Sequence, residues 1–309
     1  MSKISFVIPV FQNEGSIRPT WKAISELFEG ALKTHSWEIV FVDDGSTDGS
    51  WNEMREVATA GAHIRVVRLT RNFGQLAAIV AGYERATGDA IINLSADLQD
   101  PVELAVEMVR QWEAGSDVVV GYREDRQDPL AARLLSRLAY GALRFSNKDI
   151  PSGGFDYVLM SRRALKTFLG YCGRNRFFQG DVLWAGRKTT FLPYVRRKRP
   201  IGSSQYTIGK KLKLFIDFIL DGSYIPIRLM SLCGITCATL GLMYTAAIVV
   251  SWMRGQTPFS GWAPIMIVVL LVGGVIMLML GVIGEYLWRV LDELKAKPLF
   301  VIDDGEEES

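Results

Sequence analysis

Two stretches of this 309-residue chain carry no charge: Leu229 to Met253 and Gly255 to Gly284. Arg254 is the single charged residue between Arg228 and Glu285. A helix of about 20 apolar residues crosses the hydrocarbon core of a bilayer, and each run is longer than that. Two transmembrane helices are therefore expected, at about residues 229–253 and 262–284, with a turn near Gln256 to Gly261. A buried hairpin in a soluble domain is the competing reading, but charge-free runs of this length are rare there. Two crossings leave both flanks on one side. Lys210, Lys211, Lys213 and Arg228 precede the first run, and Arg289, Lys295 and Lys297 follow the second. The positive-inside rule makes that common side cytoplasmic.

The rest of the chain reads differently. Overall it is 49% hydrophobic and 22% charged, too polar for a protein that is mostly membrane-embedded. Apolar strand patterns recur near Ile4 to Val10, Glu38 to Val42, Arg65 to Leu69, Ala90 to Leu94 and Asp117 to Gly121, with helical stretches between them. That alternation implies βαβ units and a largely parallel α/β sheet. Helices are expected to start near Ser16, Asp48 and Gly74. Asp100-Pro101-Val102-Glu103 offers another start, with an acid at the N-cap and proline at the first helical position.

The net charge of +2 conceals two local blocks. Arg187 to Ile216 holds nine Lys or Arg and no acid, and Asp303 to Ser309 holds five acids and no base. Ile208, Leu212, Phe215, Ile216 and Ile219 recur at helical spacing ahead of the first apolar run, which suits a helix lying in the membrane interface with its lysines toward anionic head groups. The acidic tail is expected to be solvated and disordered. Three cysteines, with Cys233 and Cys237 inside the apolar run, make no disulfide framework and no CxxC metal site. His35 and His63 are the only histidines and read as surface residues.

Ligands of open α/β sheets bind where strands end and loops begin. Asp43-Asp44-Gly45-Ser46-Thr47-Asp48 follows a solidly hydrophobic strand. Adjacent carboxylates there repel and need donors or a cation, which a nucleoside's hydroxyl and N–H groups can supply. Ser95-Ala96-Asp97-Leu98-Gln99-Asp100 follows another strand, with oxygen ligands suited to a hard divalent ion. Thr70-Arg71-Asn72-Phe73-Gly74-Gln75 sets a base and amides before a helix, useful for an anion.

The order of these groups resembles family 2 glycosyltransferases of the GT-A fold, and in particular polyprenyl-phosphate glycosyltransferases such as the bactoprenol glucosyltransferases, with dolichyl-phosphate mannose synthases further off. Pro9-Val10-Phe11-Gln12-Asn13-Glu14, Asp43 to Asp48, Arg71 to Gly74, Ala96 to Pro101, Ser152 to Asp156 and Gly284-Glu285-Tyr286 carry the resemblance, from Ser5 to about Pro298. It implies a cytoplasmic GT-A domain with a Rossmann-like sheet over residues 1–206. An amphipathic juxtamembrane helix over 207–226, two transmembrane helices within 227–288 and a cytoplasmic acidic tail over 289–309 would follow. Pro9, Glu14, Asp43, Asp44 and Arg71 would hold the nucleotide, and Asp97 with Gln99 would hold Mg²⁺ or Mn²⁺. Arg123, Arg133, Ser136 and Arg199 match positions around the acceptor phosphate, and Asp156 matches one near the donor sugar. Asp156 and Asp97 are thus the expected catalytic residues. One departure stands out: Ser95-Ala96-Asp97 occupies a place where the family often has Asp-x-Asp, and a hydroxyl is a weaker ligand than a carboxylate.

The implied reaction moves one sugar from a nucleotide donor, with UDP-glucose the first expectation, to undecaprenyl or another polyprenyl phosphate, inverting the sugar's C1. Other donors of the GDP-mannose, UDP-GlcNAc or aminoarabinose type are alternatives, as is a non-catalytic membrane scaffold that binds nucleotide sugar. A processive polysaccharide synthase is disfavoured because no Gln-x-x-Arg-Trp segment is present and two spans make a poor polymer channel. The expected partners are nucleotide sugar, lipid phosphate and membrane, with no nucleic acid and with a homo-oligomer left open. The expected location is the inner (cytoplasmic) membrane, multi-pass, with the GT-A domain and both termini in the cytoplasm.

Overall fold

The computed structural model describes residues 1–61, 63–123, 155–171, 178–184, 186–197, 225–254, 263–295 and 297–303. Contacts divide the chain into two units, Met1–Lys211 with Lys297–Ser309, and Leu212–Ala296. In the first, the described elements run β1 (Lys3–Val10), α1 (Ile17–Glu29), β2 (Ser36–Asp43), α2 (Ser50–Thr59), β3 (Ile64–Arg68), α3 (Gln75–Arg85), β4 (Ala90–Asn93) and α4 (Leu104–Glu113). Then come β5 (Val118–Arg123), β6 (Tyr157–Ser161), α5 (Arg162–Leu169), α6 (Phe178–Trp184) and β7 (Thr189–Tyr194).

The strands form one seven-stranded sheet in the order β3-β2-β1-β4-β6-β5-β7. Only β6 is antiparallel to its neighbours, β4 and β5. All five strands legible in the sequence are present. The antiparallel β6 and the outer β7 are additions that apolar patterning did not reveal: β6 is an apolar run of only five residues, and β7, at the sheet's edge, is mostly half-buried. Central strand β1 alternates its side chains between two cores: Ile4, Phe6, Ile8 and Val10 join α1, α2 and α4 on one face, and Val7 joins α3 and α5 on the other. Pro9 is tolerated in this central strand. The carbonyl of Val7 accepts from Leu94 on the β4 side and that of Val10 from Asp44 on the β2 side, so the N–H that Pro9 lacks would face β4, which has already ended at Asn93.

Direction fixes what the sheet can present. The carboxyl ends of β1, β2, β3, β4, β5 and β7 lie on one edge, and because β6 runs the other way it brings Asp156, just before its first residue, to that same edge. The opposite edge is held by Glu38, which is buried and accepts hydrogen bonds from the Ser5 hydroxyl at 2.6 Å, the Thr87 N–H at 2.5 Å and the Thr87 hydroxyl at 2.8 Å. Lys3 Nζ stands 2.6 Å away. His35 also lies on this side of β2. Its side chain is 9% exposed with Nε2 3.5 Å from Glu113, so it is not the surface residue expected from sequence. His63 is exposed and its ring lies tilted against that of Trp37, 5.5 Å between centroids.

The outer strand β3 is covered by the chain's own C-terminal segment. Leu69 and Ile302 form an antiparallel bridge, the Thr70 N–H donates to Val301 O at 3.0 Å, and the Asp303 N–H donates to Arg68 O at 2.8 Å. Leu299, Phe300 and Ile302 pack against the core on the α3 face. The expected 289–309 tail is therefore divided: Arg289 to Leu294 continue a helix, Leu299 to Asp303 cap a sheet edge, and residues 304–309 lie outside the described residues. Capping in this way removes a row of unpaired backbone groups.

The second unit consists of α7 (Ile225–Met253) and α8 (Ala263–Leu294). Within them Met230–Ser251 and Leu271–Leu294 are long and apolar enough to cross a membrane, and neither stretch is buried in protein. Leu242 is 71% exposed and Met277 70%. Leaving such side chains in water forfeits about 1.5–3 kcal/mol each, which suits helices associated with a membrane. The second helix outruns its uncharged run, and in that extension Glu285 and Arg289 pair at 3.4 Å, one turn apart. Of the expected juxtamembrane helix, residues 207–224 lie outside the described residues, and Ile225 and Pro226 open α7.

Burial alone would raise the Glu38 carboxyl, but the hydrogen bonds from Lys3, Ser5 and Thr87 hold it down at about 2. The stabilisation is present above the unfolded value near 4.3 and is lost as pH falls through about 2. Glu38→Gln is expected to lower unfolding stability at pH 7 by about 1–3 kcal/mol, because a neutral amide replaces a buried carboxylate that accepts charge-assisted hydrogen bonds from Ser5 and Thr87. Urea unfolding of the detergent-solubilised chain checks this.

Candidate functional site

On the carboxyl edge the β2 end carries the two adjacent aspartates, Asp43 fully buried and Asp44 3% exposed. They solve their repulsion by turning apart. Asp43 Oδ1 accepts from the Ser46 N–H at 3.0 Å, and Oδ2 lies 3.3 Å from Arg68 Nε. Asp44 instead accepts from the N–H groups of Phe73 at 2.7 Å and Gly74 at 3.0 Å, tying the β2 loop to the Arg71-to-Gly74 loop. Gly45 lets the two loops meet: at φ +72° it passes so close to Arg71 and Asn72 that a Cβ would lie 2.6 Å from their backbone. Arg71 lies over the Phe73 ring. N–H groups of the protein itself thus meet these carboxylate oxygens.

Glu14 follows β1 and faces the same turn. Its carboxylate accepts from the Gly49 N–H at 3.0 Å while its own N–H donates to Asp48 at 3.3 Å. Gln12, between Pro9 and Glu14, has φ 52° and is held by the Ser46 hydroxyl at 3.0 Å. Leu98, beside Asp97, has φ 54°. These are the two positive-φ residues other than glycine among the described residues, and both lie in loops of this edge, where strain of this kind collects at functional sites.

Beyond β4, Asp97 is 3% exposed, and its Oδ1 accepts from the Ser95 hydroxyl at 2.7 Å and the Gln99 N–H at 3.1 Å. Among the described residues no cluster of three or more His, Cys, Asp or Glu side chains could by itself enclose a metal ion. Asp97, Gln99 and Ser95 each carry a side-chain oxygen, and the Gln99 amide nitrogen lies 3.5 Å from Arg197 O. These oxygens fit a hard divalent cation which takes its other ligands from water and substrate phosphates, as Mg²⁺ commonly does.

Asp100 does not cap α4, as the sequence pattern implies. The helix starts at Leu104 after a tight turn over Pro101 to Glu103, and the Glu103 side chain makes no cap bond. Asp100 is buried, accepts from the Tyr194 hydroxyl at 2.6 Å and lies 3.8 Å from Arg196 Nε. Burial raises its carboxyl, against the pull of Tyr194 and of the arginines nearby, and burial likewise pushes the Tyr194 hydroxyl up, so that it stays a donor.

The structure brings Arg123 and Asp156 together, with Nη2 3.4 Å from Oδ2. Asp156 is further fixed by its backbone: the Asn93 amide donates to Asp156 O, and the fully buried Tyr83 hydroxyl donates to Asn93 Oδ1 at 3.0 Å. The Gln99 loop is clipped to the chain leaving β7 by the Arg197 N–H, 2.8 Å from Gln99 O. Asn93, Tyr83, Arg68 and Tyr194 escaped sequence reasoning. A polar residue closing an apolar strand was the available signal for Asn93 and Tyr194. Arg133, Ser136 and Arg199 lie outside the described residues.

A family model for glycosyl transferase family 2 matches residues 5–187. The chain is 34% identical over 303 residues to an uncharacterized glycosyltransferase of Bacillus subtilis (strain 168), covering 96% of this chain and 92% of that one. It is 33% identical over 304 residues to the SfII prophage-derived bactoprenol glucosyl transferase of Shigella flexneri, covering 97% of each. Among solved structures it is similar to a glucosyl-3-phosphoglycerate synthase from Mycobacterium tuberculosis in complex with uridine-diphosphate, with TM-score 0.50 and 20% identity over 71% of this chain and 78% of that one. The last likeness bears on the fold alone.

Burial pushes the Asp44 carboxyl up to about 6, the Phe73 and Gly74 N–H groups and Arg71 pulling against it and the Asp43 charge adding to it. Against an ordinary value near 3.9, the folded protein holds this proton more tightly than the unfolded chain. The associated stabilisation is complete below about pH 4 and lost as pH rises through about 6. Asp44→Asn is expected to flatten the decline in melting temperature over that interval relative to wild type. Superimposable pH profiles would remove Asp44 as the titrating group.

Proposed function

The chain belongs to glycosyl transferase family 2, and on that premise we propose that it transfers glucose from UDP-glucose to undecaprenyl or a related polyprenyl phosphate. The observation that carries the reading is that the chain matches relatives named bactoprenol glucosyl transferase over nearly its full length, apolar helices included. A lipid acceptor suits a chain in which the carboxyl-edge site and two membrane-length helices occur together.

The chemistry follows from charge. A phosphate monoester has its second pKa near 6 and is largely dianionic at neutral pH, so the acceptor needs aim rather than a general base. One of its oxygens attacks C1 of glucose from the face opposite UDP. The C1–O bond to the β-phosphate breaks with its electron pair, and UDP leaves carrying the charge that the acceptor gives up. No proton is transferred, which agrees with His35 and His63 lying away from the site. Arg123, with Arg133, Ser136 and Arg199, neutralises and orients the acceptor phosphate. Asp156 orients the sugar, and Pro9, Glu14, Asp43, Asp44 and Arg71 shape the nucleotide pocket. Mg²⁺ or Mn²⁺ bound through Asp97 and Gln99 would supply charge neutralisation at the leaving diphosphate.

The decisive experiment is turnover of radiolabelled nucleotide sugars with undecaprenyl phosphate. UDP-glucose is expected to be used, chelator to stop the reaction, and Asp97→Ala to abolish it; full turnover in excess chelator would defeat the metal assignment. Arg199→Ala is expected to weaken apparent acceptor affinity by about ten- to a hundred-fold, the effect of losing one charge-assisted hydrogen bond. UDP affinity by calorimetry should stay nearly unchanged in that variant. For orientation we expect a reporter fused after Ser309 to read as cytoplasmic and one inserted at Gln256 as external. The reverse pair would deny the site access to cytoplasmic donor.

A further inference from the structure

Tyr194 and Arg123 are partners on the last rung of the parallel β5–β7 ladder, so their side chains leave the sheet as neighbours. Tyr194 turns onto the face covered by α4, where its ring packs edge-on against Tyr157 and its hydroxyl reaches Asp100 in the loop ahead of that helix. The Tyr194–Asp100 contact is short, at 2.6 Å, and both side chains are buried. Arg123 is held more loosely: its Nε donates to Tyr194 Oη and its Nη2 to Asp156 Oδ2, both at 3.4 Å. The Arg123 side chain is 18% exposed and that of Asp156 52%.

This contrast has a chemical meaning. A guanidinium locked into a close bidentate pair with a carboxylate is already neutralised, whereas one held by two long contacts keeps its orientation and can turn its charge to an incoming anion. The tight bond lies one residue further back, between a buried carboxylate and a phenol with two stiff torsions, where it is shielded from water. We propose that Tyr194, itself anchored by Asp100, is a positioning residue that fixes the Arg123 guanidinium beside Asp156 for the acceptor phosphate. The proposal rests on the reading of Arg123 as an acceptor-phosphate group. It assigns Asp100 a purely structural acceptor role, distinct from the oxygen ligands Asp97 and Gln99 in the same loop.

The test uses the full-length chain in detergent or nanodiscs, with UDP-glucose and undecaprenyl phosphate as substrates. Tyr194→Phe keeps the ring packing and removes only the hydroxyl. We expect its KM for undecaprenyl phosphate to rise about ten-fold, the equivalent of one hydrogen bond, with UDP affinity by calorimetry within about two-fold of wild type. Asp100→Asn keeps a side-chain oxygen that can accept from Tyr194 and should restore near-wild-type KM, whereas Asp100→Ala should behave like Tyr194→Phe. Equal losses in Asp100→Asn and Asp100→Ala would show that the Asp100 charge is what matters and would overturn the proposal. So would an unchanged acceptor KM in Tyr194→Phe. A second readout is independent of the reaction: hydrogen exchange at the Arg123 Nε–H, assigned by its disappearance in Arg123→Lys. We expect it to be slowed in wild type and in Asp100→Asn and fast in Tyr194→Phe. If wild type failed to turn over these substrates, the proposed function would fall. Exchange at Nε would still decide whether Tyr194 positions Arg123, and equal exchange in wild type and Tyr194→Phe would overturn it.

Discussion

Four aspartates, Asp43, Asp44, Asp97 and Asp100, are buried at one edge of the sheet, and each must find hydrogen-bond donors there. A buried carboxylate without donors costs several kcal/mol, so the loops of the site take the shapes that deliver N–H and O–H groups to these oxygens. Asp43 closes its own turn through Ser46, Asp44 gathers the Phe73–Gly74 backbone, Asp97 closes a turn through Ser95 and Gln99, and Asp100 takes the Tyr194 hydroxyl. Each bond joins chain segments that leave different strands or stiffens a loop between them. The edge is thereby organised before any substrate arrives, which is the condition for electrostatic stabilisation without reorganisation at the moment of reaction.

The antiparallel strand β6 gives this arrangement its second half. A sheet that stayed parallel would take the segment before β6 to the amino edge, far from the aspartates. Reversed, it delivers Asp156 next to the ends of β4 and β5, where Asn93 holds its backbone and Arg123 its carboxylate. The GT-A sheet therefore places a largely acidic group of loops at the ends of β1 to β4 and an arginine-bearing group at the ends of β5 and β7. Opposite charges on one edge suit a transfer between two phosphate-bearing molecules, one of which carries the leaving group.

The chain passes from the catalytic unit into the apolar helices and returns to it. Lys297 to Asp303, immediately after α8, belong to the unit that contains the sheet, and they end by bridging Leu69 on β3. That bridge lies between Arg68, the partner of Asp43, and the Thr70–Arg71 loop. The membrane-length helices are thus covalently joined at both ends to a single folded unit. The last described residues of the chain serve as structure at a strand edge that would otherwise expose unpaired N–H and C=O groups.

Much of this was legible in the residues. Five strands follow from apolar periodicity, because a strand buried on both faces must be continuously hydrophobic. The two membrane-length helices follow from the absence of charge, because charge in hydrocarbon is expensive whatever the fold. The clustering of Asp43, Asp44, Asp97 and Gln99 at one edge follows from parallel strands ending together. Partnership was not legible. Asp100 sits where an N-cap is expected, and no local rule says that a tyrosine 94 residues later will take its carboxylate. Nor does sequence spacing show that Asp44 is served by backbone N–H groups of a distant turn, or that Leu299 to Asp303 return to β3. The sequence by itself determined periodicity, length and charge placement, since these depend on neighbours along the chain and on the solvent. Strand direction, the Arg123–Asp156 pair and the donors to Asp44 and Asp100 were decided only by the tertiary structure, because hydrogen bonds act over about 3 Å of space without regard to separation in sequence.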